Sequence, residues 1–327
     1  MVGNKWRKWL AAGLLGLTAA GVLAGCGGPQ GEQGRMKVGI VQIVQHPALD
    51  EANKGFVAAL DERGLKDKID IDQQNAQGDQ SNLQSIANRF VSGNYALIGA
   101  ISTPAAQSMA SATSSIPIVG TAIADFKAAR LMKSESTPDG NVTGTHDRAP
   151  LDKQIALIRK IQPQIKTLGI IYNSSEINSA VQAEKLKEAC QPLGIHVMEL
   201  TVTSVNDIQQ TAEQFLGKAD AVFVPTDNTV ASSIPTLMAV TNKGKIPVYG
   251  AEAGHVASGA FASESISFYE IGHRAGEMAA DILEGKKKIQ DLPAEGPQTT
   301  KLYINRQEME LLGISVPEDI LKQATMI

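Results

Sequence analysis

The chain has 327 residues, 43% of them hydrophobic and 20% charged, with a formal net charge of −4 at pH 7. That length exceeds what one hydrophobic core usually fills, so two domains are expected, and the charge offers none of the basic patch or stripe that nucleic-acid binding requires. Aromatics at 4% leave no base-stacking platform, and two cysteines, Cys26 and Cys190, cannot build a disulfide framework.

Residues 1 to 25 read as an export signal. Lys5, Arg7 and Lys8 form a basic start, an apolar run extends from Trp9 to Leu23, and small residues follow at Ala24 and Gly25. The run is too short, and its tail too rich in glycine, for a stable membrane span. Leu23-Ala24-Gly25-Cys26 resembles the bacterial lipobox, in which the chain is cut before the cysteine and the cysteine is acylated. Several acyl chains anchor firmly where one is marginal. The protein is therefore expected on the outer face of the cytoplasmic membrane, or in the periplasm, held through Cys26. Residues 26 to 35, with GGPQGEQG after the cysteine, read as a flexible tether.

A buried strand is expected over Lys37 to Val44, then the loop Gln45-His46-Pro47 and a helix over 48–63. That helix carries Leu49, Phe56, Val57 and Leu60 on one side and stops at Gly64. A strand near Ile69 to Gln74 leads into the polar turn Asn75 to Gln80. Residues 82–104 read as helix, turn, buried strand and polar loop; a helix from Ala105 and a strand over Pro117 to Gly120 follow, ending in Thr121-Ala122-Ile123-Ala124-Asp125. After a loop rich in Ser, Pro and Gly, residues 141–145 read as a first crossover between lobes. The second lobe opens with a helix over 150–161. It continues with strand Leu168 to Tyr172, loop Asn173 to Ser179, a helix to Cys190, strand Ile195 to Val202, and then residues 207–229.

Those last residues repeat the first lobe. Asp207 to Thr229 aligns without a gap on Asn82 to Pro104, matching Gln84/Gln209, Ala87/Ala212, Phe90/Phe215 and Ala96/Ala221. Val38-Gly39-Ile40-Val41 is echoed by Leu168-Gly169-Ile170-Ile171, and Ile116-Pro117-Ile118-Val119-Gly120 by Ile246-Pro247-Val248-Tyr249-Gly250. Alternating strands and helices imply parallel sheets with right-handed crossovers. The expected fold is therefore α/β, two similar doubly wound lobes with a ligand cleft between them. A strand over Gly259 to Ser265 and a helix over Tyr269 to Glu284 have no place in the repeat. Residues 36–143 plus about 259–288 are thus expected to form lobe 1, and 144–258 plus about 289–327 lobe 2.

The five histidines are scattered without metal-ligand spacing, and neither a phosphate-binding loop nor a nucleophile elbow is present. No catalytic residue, metal or cofactor is assigned. In open α/β sheets ligands sit beyond the carboxyl ends of the strands, which here are the polar loops Ser102-Thr103-Pro104 and Thr226-Asp227-Asn228-Thr229.

The segments HPALDEANKGF, NAQGD, STPAAQSMASAT, IPIVGTAIAD, GNVTG, YNSSEINS, VPTDNTVASSIP and LLGISVPEDIL resemble the ABC-transporter substrate-binding lipoproteins, a family with a tryptophan-binding member. The resemblance covers the mature chain. It implies the type I periplasmic-binding fold, a monomer that hands a small ligand to a membrane permease, and an aromatic amino acid as the leading ligand class. A surface-anchored sensor or a hydrolase on the same fold is the alternative.

An amino acid brings two charges that a dry cleft must meet. Its carboxylate suits Ser102, Thr103 and Thr121, at strand-to-helix loops, and its ammonium suits Asp227 with Asn228 and Glu252. Gln45 from one lobe and Asn173, Ser174, Ser175 and Asn178 from the other are expected to grip opposite sides. Ala122, with Pro104 and Ala105, could sandwich a ring, and Phe126 and Tyr172 are the candidate stacking partners.

Overall fold

A computed structural model describes residues 34–148 and 150–327; the signal, Cys26 and most of the tether lie outside these residues. Residues 35–327 form one compact unit. The first half runs β1 (Met36–Gln42), α1 (Pro47–Glu62), β2 (Ile69–Asn75), α2 (Gln80–Ser92), β3 (Leu97–Ile101), α3 (Thr103–Ala112), β4 (Ile118–Ile123) and β5 (Val142–His146). Its sheet is wholly parallel, in the order β2-β1-β3-β4-β5. Strands β3 and β4 are buried on both faces and apolar except for Thr121, as a sheet covered by helices on both sides requires. The edge strand β2 alternates and is polar.

The second half runs α4 (Leu151–Ile161), β6 (Thr167–Asn173), α5 (Ile177–Cys190), β7 (His196–Val202), α6 (Ile208–Ala212), β8 (Ala221–Val224), α7 (Asn228–Ala231), α8 (Ile234–Thr241), β9 (Val248–Gly250), α9 (Ala253–Ala257) and β10 (Ala262–Ser265). After α10 (Phe268–Leu283) come β11 (Lys301–Ile304), α11 (Arg306–Leu312), α12 (Glu318–Leu321) and β12 (Thr325–Met326). The second sheet is ordered β12-β11-β10-β9-β8-β6-β7, with β11 antiparallel to β10.

The sequence repeat appears as identical packing. The strand order β2-β1-β3-β4-β5 is reproduced by β7-β6-β8-β9-β10. Gly39 of β1 lies under the Phe90 ring, where a Cβ would stand 2.7 Å from the ring, and Gly169 of β6 lies under Phe215, where a Cβ would stand 2.5 Å away. Both rings are fully buried, each contributing about 2–3 kcal/mol.

One expectation is corrected here. The strand assigned to lobe 1 at about 259–265 is β10, and it pairs with β9 in the second sheet, Ala262 opposite Tyr249. It fills the place that β5 fills in the first sheet, so it is the fifth strand of the repeat. The chain crosses back only after Ser265. Helix α10 then packs on the first half, where Ile271, Ala275, Met278 and Ala279 join the core of β1, β3 and β4. In the same way β5 belongs to the first sheet through His146, and the helix after it, α4, buries Ile155, Ile158 and Ile161 in the second half. Each sheet thus sends the helix after its fifth strand to the other half.

Candidate functional site

The carboxyl ends of the two sheets face one another. A cleft of about 340 Å³ lies between them, lined by Ile43, Val44, Gln77 and Pro104 from the first half and by Asn173, Ser175, Glu176 and Asn228 from the second. A more enclosed cavity of about 100 Å³ lies between Ala124, Asp147 and Arg148 on one side and Leu151, Val181, Thr226 and Ala251 on the other. Cross-contacts hold the halves together: His46 Nε2 stands 3.5 Å from Asn228 Oδ1, and Lys185 Nζ stands 3.7 Å from Asp125 Oδ2.

In the first half the predicted residues sit at the ends of β3 and β4. Ser102 is buried at φ 105°, ψ 158° and caps α3, its hydroxyl accepting from Ala105 N–H at 3.3 Å. Thr103 accepts from Ala124 N–H at 3.3 Å, and Thr121 Oγ1 lies 2.9 Å from Thr145 Oγ1. Ala122 holds φ 56°. Left-handed or otherwise sparse backbone at two non-glycine residues, side by side on neighbouring strands, is strain of the kind that concentrates at binding sites. Gln45 departs from expectation: it is exposed and donates toward Asp50 at 3.5 Å, while His46 is buried. His46 is the extended N-cap of α1, with φ −157° and ψ 161°, and extended backbone sends successive side chains to opposite sides.

In the second half Asp227 is fully buried and its carboxylate is already used. It accepts from Asn173 N–H at 2.8 Å, Ser179 hydroxyl at 2.7 Å and Val230 N–H at 2.8 Å. Burial, with the Glu176 charge beside it, pushes its proton affinity well above the ordinary carboxylate range. Asp227 thus braces the loops around the cleft. Glu176, which the sequence did not single out, does the same. It accepts from Asn228 N–H at 3.1 Å and Asn228 Nδ2, from Thr229 N–H and Oγ1 at 3.0 Å, and from Asn178 Nδ2 at 3.1 Å. Asn173 Nδ2 donates to Thr229 Oγ1 at 2.8 Å. Ser175 lines the cleft, whereas Ser174 is exposed and its N–H donates to Val202 O. Phe126 and Tyr172 are buried in the cores of their own halves and line neither cavity.

Glu252 is buried rather than solvated. Its Oε2 lies 3.9 Å from His46 Nδ1 and 3.6 Å from His255 Nε2, and makes no hydrogen bond. Burial, then the charges of Asp147, Asp227 and Glu176, raises its pKa well above the usual range. Asp147 N–H donates to Ile123 O at 3.1 Å, which fixes it to the first half. Its Oδ1 is buried without a donor, and burial lifts its pKa to about 6. Asn178 Oδ1 is likewise buried and donorless; its Nδ2 donates to Thr226 O at 2.8 Å, which fixes the amide orientation. The histidines bring no positive charge near neutral pH, because burial lowers His46 to about 4 and His255 to about 3. Arg148 is adjacent to Asp147 in sequence, but its guanidinium is bidentate on Glu135, at 2.8 and 2.5 Å.

Residues 37–327 match the family of ABC transporter substrate binding proteins. The chain belongs to that family. This substrate-binding protein is 39% identical over 323 residues to a tyrosine-binding protein of Clostridioides difficile, covering 95% of this chain and 93% of the relative. It superposes with TM-score 0.86, at 38% identity and over 89% and 99% of the two chains, on an ABC domain from Streptococcus pneumonia in complex with L-Trp. A ligand-free, open substrate binding protein from Clostridium difficile, at 42% identity and the same coverage, gives only 0.68. Higher identity with poorer overlap is what a rigid rotation of one lobe produces. The lobes of this substrate-binding protein are thus set as in the L-Trp complex, on a type I periplasmic-binding fold.

Proposed function

We propose that the protein binds an aromatic amino acid in the cleft between its lobes and delivers it to an ABC permease, outside the cytoplasm and anchored through Cys26. The supporting observation is Asp147 Oδ1, a buried acceptor without a donor that lines the enclosed cavity between the halves, where the nearby basic groups are neutral or already paired; Asn178 Oδ1 and Glu252 Oε2 are two further donorless buried acceptors of the second half. A primary ammonium supplies three N–H donors and one positive charge. Unpaired buried acceptors are costly, so a ligand that supplies those donors gains the whole difference. The ligand carboxylate is assigned to the loops after β3 and β4, where Ser102, Thr103 and Thr121 keep hydroxyl protons to donate. Ala124, Leu151, Val181 and Ala251 give the apolar wall for a ring. Two relatives named for tyrosine and L-Trp support the aromatic class. Nothing in this arrangement calls for chemistry on the ligand.

A thermal-shift panel of the twenty amino acids tests the proposal. A ligand at 100 times its dissociation constant adds about 2.7 kcal/mol to stability, so tyrosine, tryptophan or phenylalanine should raise the melting temperature above all others. A sugar or a branched-chain amino acid giving the largest shift would defeat the aromatic assignment.

A further inference from the structure

Four carboxylates meet at the cleft, but only one comes from the first half. Glu176 and Asp227 spend their oxygens on donors within the second half, and Glu252 sits at the start of α9 beside them. Asp147 lies on the segment that crosses from β5 to α4, is tied to the first half by its N–H bond to Ile123 O, and lines the enclosed cavity opposite Thr226 and Ala251 of the second half. We propose that Asp147 is a specificity determinant: it makes a positively charged nitrogen on the ligand the condition for closing the lobes. This rests on the amino-acid reading given above and goes beyond it.

Closing without a cation would move the Asp147 anion out of water and toward Glu252, with no donor waiting for its Oδ1. Desolvation of the anion and the unmet Oδ1 both oppose that step. The other charged groups nearby cannot compensate. Arg148 is held by Glu135, Lys185 by Asp125 at the rim, and His46 and His255 are neutral through burial. His146, on the preceding residue, is also lowered by burial, to about 4. A ligand ammonium removes both penalties. An empty cleft, a sugar, or the same aromatic acid lacking its amine removes neither.

The test uses calorimetry and small-angle scattering on the full chain with three probes: L-tyrosine, tyramine, and 3-(4-hydroxyphenyl)propionate. For the wild type near pH 7.5, tyrosine and tyramine should bind and compact the protein, and the propionate should bind at least about a hundredfold more weakly than tyrosine. In Asp147→Asn, tyrosine affinity should fall by at least about tenfold, and the preference for tyrosine over the propionate should shrink by at least the same factor. Asp147→Glu, which keeps the charge, should retain that preference. A variant that is merely loosened would lose affinity for all probes in proportion, and an unchanged preference in Asp147→Asn overturns the proposal. A measurement without substitution stands beside it. Ligand-free wild type should compact when taken from about pH 7.5 to about pH 5, where Asp147 takes up a proton while His46 stays neutral. Unchanged scattering across that range also overturns the proposal. Wild type that binds none of the twenty amino acids would instead refute the amino-acid reading itself.

Discussion

Asp227 shows how a residue chosen for its chemistry also serves geometry. A carboxylate in a strand-end loop is a fair candidate for an ammonium, but here three donors from three segments already hold it. Asp227→Ala would leave two backbone N–H groups and a hydroxyl buried without an acceptor, at about 1–3 kcal/mol each. The expected outcome is a loss of about 3 kcal/mol or more in denaturant unfolding, with Asp227→Asn milder; an unchanged midpoint would contradict the bracing role. Asp147 was not legible at all, because in THDRAP an acid beside an arginine reads as a solvated turn. Its burial comes from the opposite lobe, which no local pattern records. Its pH effect follows from the sign of its shift. A carboxyl raised from 3.8 to about 6 holds its proton more tightly folded than unfolded, so its contribution to ligand-free stability falls as pH rises from about 4 through about 6. Melting temperatures at pH 5 and 7, with and without ligand, should show ligand stabilisation growing with pH.

At the scale of elements, duplication was the most readable feature. Glycine under phenylalanine, and strand order around it, follow from residues that recur at nearly constant spacing. The reading broke at β10 because β5 and β10 share position without sharing residues; strand pairing is made by backbone, and the spacing there is no longer constant. Helices α1 and α10 come together through small residues that periodicity alone does not rank. A Cβ on Gly55 would collide with Tyr269 O, one on Gly272 with Ala52 O, and one on Gly276 with Phe56 O. Gly272→Ala must push the helices apart and is expected to cost at least about 1–3 kcal/mol, as overpacking does. Thermal unfolding of this variant checks it, and wild-type stability would show that the seam can yield.

For the whole molecule, lobe arrangement and anchoring are the properties to measure. Scattering from the ligand-free protein near neutral pH should fit a more open shape than the lobe arrangement described above, and saturating aromatic amino acid should bring the curve to it. Identical curves would argue against hinge closure. Cys26→Ser should leave both lobes folded yet release the protein from membranes, because acylation needs the thiol; a variant that stays with membranes would rule out the lipid anchor. The exchange of helices between halves also bears on how the chain folds. The first sheet lacks its α10 cover until residues near 283 exist, and the second lacks β12 until Thr325 and Met326 do. Neither half can be completed from its own contiguous stretch of chain, so each waits on segments that lie beyond the other's first elements, and the two halves are expected to unfold as one unit rather than in two steps.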